Sequence, residues 1–238
     1  MTAFNALRGV DLGSNYVAAA SHVTDLAMQA NAALQAPGDT TVTFPNTSIG
    51  RQLRQVARLI KKRTELNVNR QIFYCQIGGF DTHTGEPAQH VNLFGQFSQA
   101  ARAFYDELGT ASQNVQNEVT LCTLSDFGRT MQPSGSGTGV GTDHAWGNHM
   151  IVIGGSVLGG NFYGMNTATN GTPFPHLQLG GLDDTDTGTN PRGRWIPTTS
   201  VDQYAATIAR WFGLPENEMA SVFPNIGNFP TSNLGFMP

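Results

Sequence analysis

The stretch "QIFYCQIGGFDTH", Gln71 to His83, decides the predicted fold, because a short apolar run ends there in a glycine pair and a polar group. The β-branched and aromatic residues of 71–77 predict a buried strand that ends at the glycines. Asp81 and His83 follow directly after that end. They either stabilise a turn or bind a ligand, and the rest of the sequence must distinguish these two interpretations.

Helices are predicted on both sides of this strand. Four segments are predicted to be helices, because they have a helix-forming composition or apolar residues three and four positions apart. They are Tyr16–Leu34, Gln52–Arg63, Phe94–Leu108 and Val201–Phe212. Two further apolar runs, 119–124 and 150–155, predict strands. Since strands alternate with helices, we expect an α/β layered fold with a largely parallel sheet. No internal boundary is evident, so residues 1–238 are predicted to form one domain, with 215–238 as a coil tail.

Composition excludes several classes of protein. Hydrophobic residues make up 39% of the 238-residue chain and charged residues 13%, which is typical of a folded globular domain. A net charge of −4 gives no general attraction for nucleic acid, and the basic residues of 51–70 are interpreted as the solvated face of a helix. No apolar run is long enough to span a membrane, and the start shows no signal peptide. Cys75 and Cys122 are favoured as buried free thiols, although a disulfide stays open.

Three polar clusters fall at the ends of the three predicted strands. They are "GGFDTH" (78–83), "SDFGRT" (125–130) and "GTDHAWGNH" (141–149). In open α/β sheets, ligands bind beyond the ends of the strands, so we expect the clusters to meet there. Together they supply six candidate metal ligands: Asp81, His83, Asp126, Asp143, His144 and His149.

Carboxylates and imidazoles delivered by loops are suited to zinc, manganese or a similar divalent ion. Two such ions would stabilise the attacking and leaving oxygens of a phosphate or sulfate ester, and Arg129 would hold the anionic group in a fork. Other interpretations stay open at this point. Asp81 can cap a turn, His149 can be an ordinary half-buried histidine, and "DDTDTGTN" (183–190) is interpreted as a solvated loop.

The clusters, in this order and spacing, resemble a bacterial family known as domain of unknown function 1501. The resemblance rests on "RQIFYCQIGGFDTH", "SDFGRT", "GTDHAWGNHMIVIGGSVLGGNFYG" and the basic helix "RQLRQVARLIKKR", and it runs from about Ile49 to Phe212. That family is similar to the alkaline phosphatase and sulfatase superfamily. The resemblance therefore implies an α/β/α sandwich with a two-metal centre that hydrolyses phosphate or sulfate esters, in an exported periplasmic or secreted protein.

The same resemblance assigns roles to particular residues. Asp81 and His83 resemble the ligands of one metal, Asp126 resembles the aspartate of a later Asp-His pair, and Asp143 and His144 resemble late ligands. Two features depart from the superfamily. Phe127 stands where a histidine is usual, and no strand carrying a nucleophilic Ser or Thr precedes "GGFDTH". The chain therefore resembles the C-terminal part of the family domain, with 1–48 as a divergent segment.

Three hypotheses about function follow. The first is a metal-dependent hydrolase of phosphate or sulfate esters, acting on a small-molecule or glycan substrate with zinc, manganese or calcium. The second is a non-catalytic protein that uses the metal to bind an anionic sugar or lipid. The third is a structural protein whose polar clusters hold loops together. A separate N-terminal half or a second copy of the chain is the expected protein partner.

Overall fold

The computed structural model describes residues 13–35, 39–166 and 171–238, together with the single positions Ala3, Ala6 and Val10. The helices with described bounds are α1 (Asn15–Gln35), α2 (Ser48–Lys61), α3 (Glu86–Leu108), α4 (Val201–Phe212) and the short α5 (Met219–Val222). The strands are β1 (Thr120–Cys122), β2 (Gly128–Arg129), β3 (His144–Ala145) and β4 (Val152–Gly154). Short 3-10 turns lie at Gly137–Gly139, Glu216–Glu218 and Ile226–Asn228.

The four predicted helices are confirmed, and α4 shows why the local signals are reliable. Ser200 Oγ accepts a hydrogen bond from the backbone N–H of Gln203, and the Gln203 side chain accepts one from the Ser200 N–H, both at 3.1 Å. This reciprocal cap satisfies two N–H groups that the helix start leaves free. Gly213 ends the helix in the left-handed region, with φ 105°. The stop predicted for α1, at Pro37-Gly38, lies outside the described residues.

The predicted α/β/α sandwich with a largely parallel sheet is wrong. Among the described residues there are two sheets of two strands each, and both are antiparallel. β1 pairs with β4, with Leu121 opposite Ile153, and β2 pairs with β3. The connection from β1 to β4 contains no α-helix, whereas parallel neighbours need a crossover that is usually helical. The chain therefore returns beside β1 in the opposite direction.

The apolar run 71–77 is extended but forms no ladder with another described strand. Phe73 and Ile77 pack on the helical core, while Ile72 and Tyr74 are each 86% exposed. At Gln76 both backbone groups bond to the side-chain amide of Gln52 in α2, at 2.8 and 2.9 Å. The prediction of a buried strand at 71–77 is therefore wrong. One face of the run is covered by the helical core, the other face is exposed, and no described strand pairs with it.

The main core lies between α2 and α3. The buried residues of this cluster are Ile49, Leu53, Val56, Ala57, Ile60, Ala100, Phe104, Leu108 and Val115. The tail 215–238, predicted as coil, contains the short α5 and two of the 3-10 turns. Its end is buried, since Phe236 and Met237 pack with Tyr204 of α4. Both cysteines are free thiols, as favoured, but the prediction that they are buried is wrong: Cys75 is half-buried and Cys122 is exposed. No described helix combines the length and apolar character that crossing a bilayer requires.

Glu107, which is fully buried near the end of α3, links the core to the segment before α2. One carboxylate oxygen accepts hydrogen bonds from the backbone N–H groups of Thr41 and Val42 at 2.7 Å, and the other accepts one from Gln113 Nε2 at 3.0 Å.

We expect Glu107→Gln to lower the free energy of unfolding by about 2 kcal/mol, because an amide N–H₂ would then face one of these donors. Urea denaturation measures this loss. The exposed Glu118→Gln is the control, and equal stability of the two variants would contradict the role of Glu107.

Candidate metal centre

Two loops meet at the candidate site. The first loop, residues 80–83, follows the extended run, and the second loop, residues 141–144, leads into β3. The backbone N–H of Thr142 donates to the carbonyl of Thr82 at 3.2 Å, which joins the loops directly. The pairing of β2 with β3 places Arg129 opposite His144 and fixes the far side of the second loop.

Three side chains from these loops converge on one point. The Nε2 atom of His144 lies 2.7 Å from Oδ1 of Asp81, and Nε2 of His83 lies 3.0 Å from the same oxygen. The imidazole rings of His83 and His144 are stacked, with centroids 5.2 Å apart and an angle of 26° between their planes. One ligand atom from each of the three residues lies within 4.8 Å of the others. This is a separation that a single ion can bridge.

The donor set suits a particular class of metal. Two imidazole nitrogens and one carboxylate are typical ligands of zinc and related transition metals, while calcium and magnesium prefer oxygen ligands. The side chains of Asp81, His83 and His144 are 60%, 51% and 50% exposed. An ion held by them would keep coordination positions open to solvent, as in catalytic rather than structural sites.

The protonation state of Asp81 fits a role as an anionic ligand. The hydrogen bond with His144 lowers the pKa of this carboxyl group. Desolvation acts in the opposite direction, and the charges of His83, His144 and Arg129 lower the pKa further. Asp81 is therefore ionised at neutral pH.

A buried network lies beneath the two loops. Oε2 of Glu86, in the first turn of α3, accepts hydrogen bonds from the hydroxyl groups of Thr82 at 3.1 Å and Thr142 at 2.5 Å. His90 Nε2 lies 3.2 Å from the Thr82 hydroxyl, so it faces this network rather than the exposed cluster. The Glu86 carboxylate thus connects Thr82 of the first loop with Thr142 of the second loop.

Arg129 also joins the two loops. Its guanidinium donates to the carbonyl of Thr142 at 2.7 Å and to the carbonyl of Phe80, and it lies 3.5 Å from Asp81 Oδ1. The side chain is only 16% exposed. Because this guanidinium group already binds two backbone carbonyls, it is suited to positioning the two loops. It also adds a positive charge close to Asp81.

Phe127 occupies the place where a histidine was expected, and the structure gives it a contact in the site. Its ring lies parallel to the imidazole of His144, with centroids 4.1 Å apart, and the Arg129 guanidinium lies 5.1 Å from its centroid. Phe127 therefore supports the face of a candidate ligand instead of supplying one.

A comparison with protein families identifies the family of this chain. A model described as "Protein of unknown function (DUF1501)" matches residues 3–204, which is most of the chain. The chain belongs to the DUF1501 family. No curated protein and no solved structure matches it. The function of this DUF1501 member is therefore inferred from the geometry of its site.

A loop that the sequence did not indicate as functional contacts the site of this DUF1501 protein. Arg192 Nη1 lies 3.0 Å from Oδ2 of Asp143, and Arg194 Nε donates to the backbone carbonyl of His144 at 3.3 Å. Asp143 itself meets the Nδ1 atom of His83 at 3.3 Å. The only sequence signal for these contacts is the pair of arginines in "PRGRW", which gives no indication of its partners.

Three of the six predicted ligands lie outside this compact group: Asp126, Asp143 and His149. Asp126 is exposed, and His149 lies beside Phe174, with ring centroids 5.7 Å apart. Among the described residues, Asp81, His83 and His144 are the one group of three or more potential ligands that is compact enough to bind an ion. The described part of the chain thus offers one donor set of this kind, where the resemblance implied two metals.

Proposed function

We propose that this protein is a metal-dependent hydrolase of phosphate or sulfate esters. The observation that carries the proposal is the convergence of Asp81, His83 and His144, although Asp81 and His144 are 63 positions apart in the sequence. These three residues would hold the ion, and their two imidazoles favour zinc over calcium.

The surroundings of the cluster support an anionic substrate. The guanidinium groups of Arg129, Arg192 and Arg194 all contact residues of the two loops. Each already has a protein partner, so their contribution is a positive field that attracts and orients an anion. The exposed face of the cluster gives a small-molecule or glycan ester room to approach.

The nucleophile in the proposed reaction is water. The Thr82 hydroxyl is buried and donates to Glu86, and the Ser125 hydroxyl donates to the carbonyl of Phe127 at 2.9 Å, so neither is free to attack. A divalent ion bound at the cluster would lower the pKa of a water molecule and withdraw charge from the ester oxygens. The water oxygen would form a bond to phosphorus or sulfur while the bond to the ester oxygen breaks, and the departing alkoxide would take up the proton that the water releases.

The same observations also support a second candidate. A protein that binds an anionic sugar or lipid through the metal, without turnover, needs neither a nucleophilic hydroxyl nor a free arginine. The engaged side chains of Thr82, Ser125 and Arg129 favour this alternative. It differs from the hydrolase in one measurable property, which is turnover.

The test is hydrolysis of an aryl phosphate and an aryl sulfate by the purified protein, with zinc, manganese or calcium added in turn. We expect about one equivalent of bound zinc by plasma mass spectrometry, with turnover that disappears in His144→Ala. Glu118→Ala is the control, because this exposed glutamate lies beyond the C-terminal end of α3 while the site lies at its N-terminal start, and it should keep both metal and activity. Zinc binding without turnover of either ester would support the binding protein, and absence of bound metal would overturn both proposals.

A further inference from the structure

The geometry points to a positioning role for Asp143 and Arg192, which rests on the metal site proposed above. We propose that Asp143 does not bind the ion but orients the imidazole of His83, and that Arg192 in turn holds Asp143. The chain of contacts runs from Arg192 Nη1 to Asp143 Oδ2 at 3.0 Å, and from Asp143 Oδ1 to His83 Nδ1 at 3.3 Å. His83 Nε2 then faces Asp81 at 3.0 Å.

The two nitrogens of His83 therefore have different tasks. A neutral imidazole carries a proton on one nitrogen and a lone pair on the other, and only the lone pair can bind a metal. A carboxylate that accepts a hydrogen bond from Nδ1–H keeps the lone pair on Nε2. The Nε2 atom is the one that faces Asp81 and the cluster, so the contact with Asp143 selects the tautomer that a metal requires.

The two oxygens of Asp143 are both engaged. Oδ1 faces His83 and Oδ2 faces Arg192, and the side chain is 35% exposed, compared with 60% for Asp81. Binding a metal through Asp143 would compete with these contacts. Asp143 is also not a member of the compact group formed by Asp81, His83 and His144. Its position is that of a residue that supports a ligand.

Arg192 is itself held in place by the backbone around it. Its N–H donates to Asp186 Oδ2 at 3.0 Å, and its carbonyl accepts the N–H of Gln132 at 2.9 Å. The Arg192 side chain is only 25% exposed. The guanidinium therefore reaches Asp143 from a fixed backbone, and a loop late in the chain helps to set the direction of a ligand in the first loop.

The test measures zinc affinity by chelator competition, and the protonation of His83 by nitrogen-15 nuclear magnetic resonance of the zinc-loaded protein. In the unmodified protein we expect zinc on Nε2 of His83 and a proton on Nδ1. Asp143→Ala should bind zinc roughly 10- to 100-fold more weakly, which is the usual effect of removing such a partner. Arg192→Met should weaken binding in the same direction by a smaller factor. Asp143→Asn keeps an acceptor oxygen and should retain more affinity than Asp143→Ala.

Two controls make the outcomes distinct. The controls are Glu118→Ala and the exposed Arg102→Met, which each remove one charge outside the two loops, and both should leave zinc affinity unchanged. Thermal melting confirms that each variant is folded. Unchanged affinity in Asp143→Ala, or zinc on Nδ1 of His83, would overturn the positioning role while leaving the metal site intact. Failure of the unmodified protein to bind zinc would overturn both.

Discussion

Gly141→Ala is expected to weaken zinc binding severely in a protein that still folds. A Cβ atom at position 141 would lie 2.1 Å from the carbonyl carbon of His83, 2.2 Å from its oxygen and 2.5 Å from the backbone nitrogen of Thr84. All three atoms belong to the backbone, so no side chain can rotate away. The two loops must separate instead, by about 1 Å or more, to reach ordinary contact distance.

A separation of this size is larger than the site can tolerate. Metal–ligand distances are held to about 0.2 Å, and the candidate ligands are divided between the two loops. Displacing His83 from His144 should therefore weaken zinc binding by roughly 100-fold or more, since one ligand of three would be lost. Gly141 does not have a positive φ, so the effect is steric and does not arise from backbone strain.

The matched control for this variant is Gly139→Ala. Gly139 lies two residues earlier in the same loop region, and a Cβ there would meet nothing within 4 Å. We expect this variant to bind zinc as the unmodified protein does. Circular dichroism melting distinguishes a folded protein without zinc from an unfolded one. If Gly141→Ala binds zinc with unchanged affinity, the close approach of the two loops is not needed for the site.

The helices were predictable from sequence because their signals are local. The cap at Ser200 and the stop at Gly213 depend on residues within one helical turn, and both are present in the structure. The strands were less predictable, because a ladder needs a partner that is distant in sequence. The run 71–77 has the β-branched and aromatic residues of a strand, yet its Gln76 backbone bonds to a helix side chain. Parallel order was inferred from alternating elements, and it fails where no helix connects the strands.

The residues of the candidate site were also predictable only in part. Asp81, His83 and His144 were predicted as ligands, because polar residues at the end of an apolar run are visible in the sequence. Glu86 and Arg192 were not identified, since their roles depend on contacts across the fold. Glu86 could have been noticed as an acidic residue in the first turn of α3. Nothing in the sequence around Arg192 indicates that it contacts Asp143.

Asp184→Ala is expected to lower the free energy of unfolding and to weaken zinc binding at a distance. The segment "DDTDTGTN" was predicted to be a solvated loop, but Asp184 is only 3% exposed. Its carboxylate accepts the backbone N–H groups of Gly180, Asp186 and Arg194, each at 2.9 Å. The carboxylate therefore organises the loop that carries Arg192 and Arg194 to the site.

The expected loss of stability follows from these three donors. Each loses its acceptor in Asp184→Ala, and water can replace the carboxylate only in part, so we expect a loss of about 3 kcal/mol. Hydrogen exchange measured by mass spectrometry should show faster exchange across 176–197, where the released N–H groups lie. Asp126→Ala, which removes an exposed carboxylate, is the control for both measurements.

The stabilisation by Asp184 should also depend on pH. Burial raises the pKa of this carboxyl group, but the backbone hydrogen bonds lower it more, so the pKa in the folded protein lies below the ordinary value. A depressed carboxyl pKa stabilises the fold at pH values above the unfolded pKa of about 3.9, and this contribution is lost as the pH falls through the folded pKa. The stability difference between the unmodified protein and Asp184→Asn should therefore be largest above about pH 5 and shrink below about pH 4. A difference that stays constant from pH 7 to pH 3 would show that Asp184 acts through packing and not through its charge.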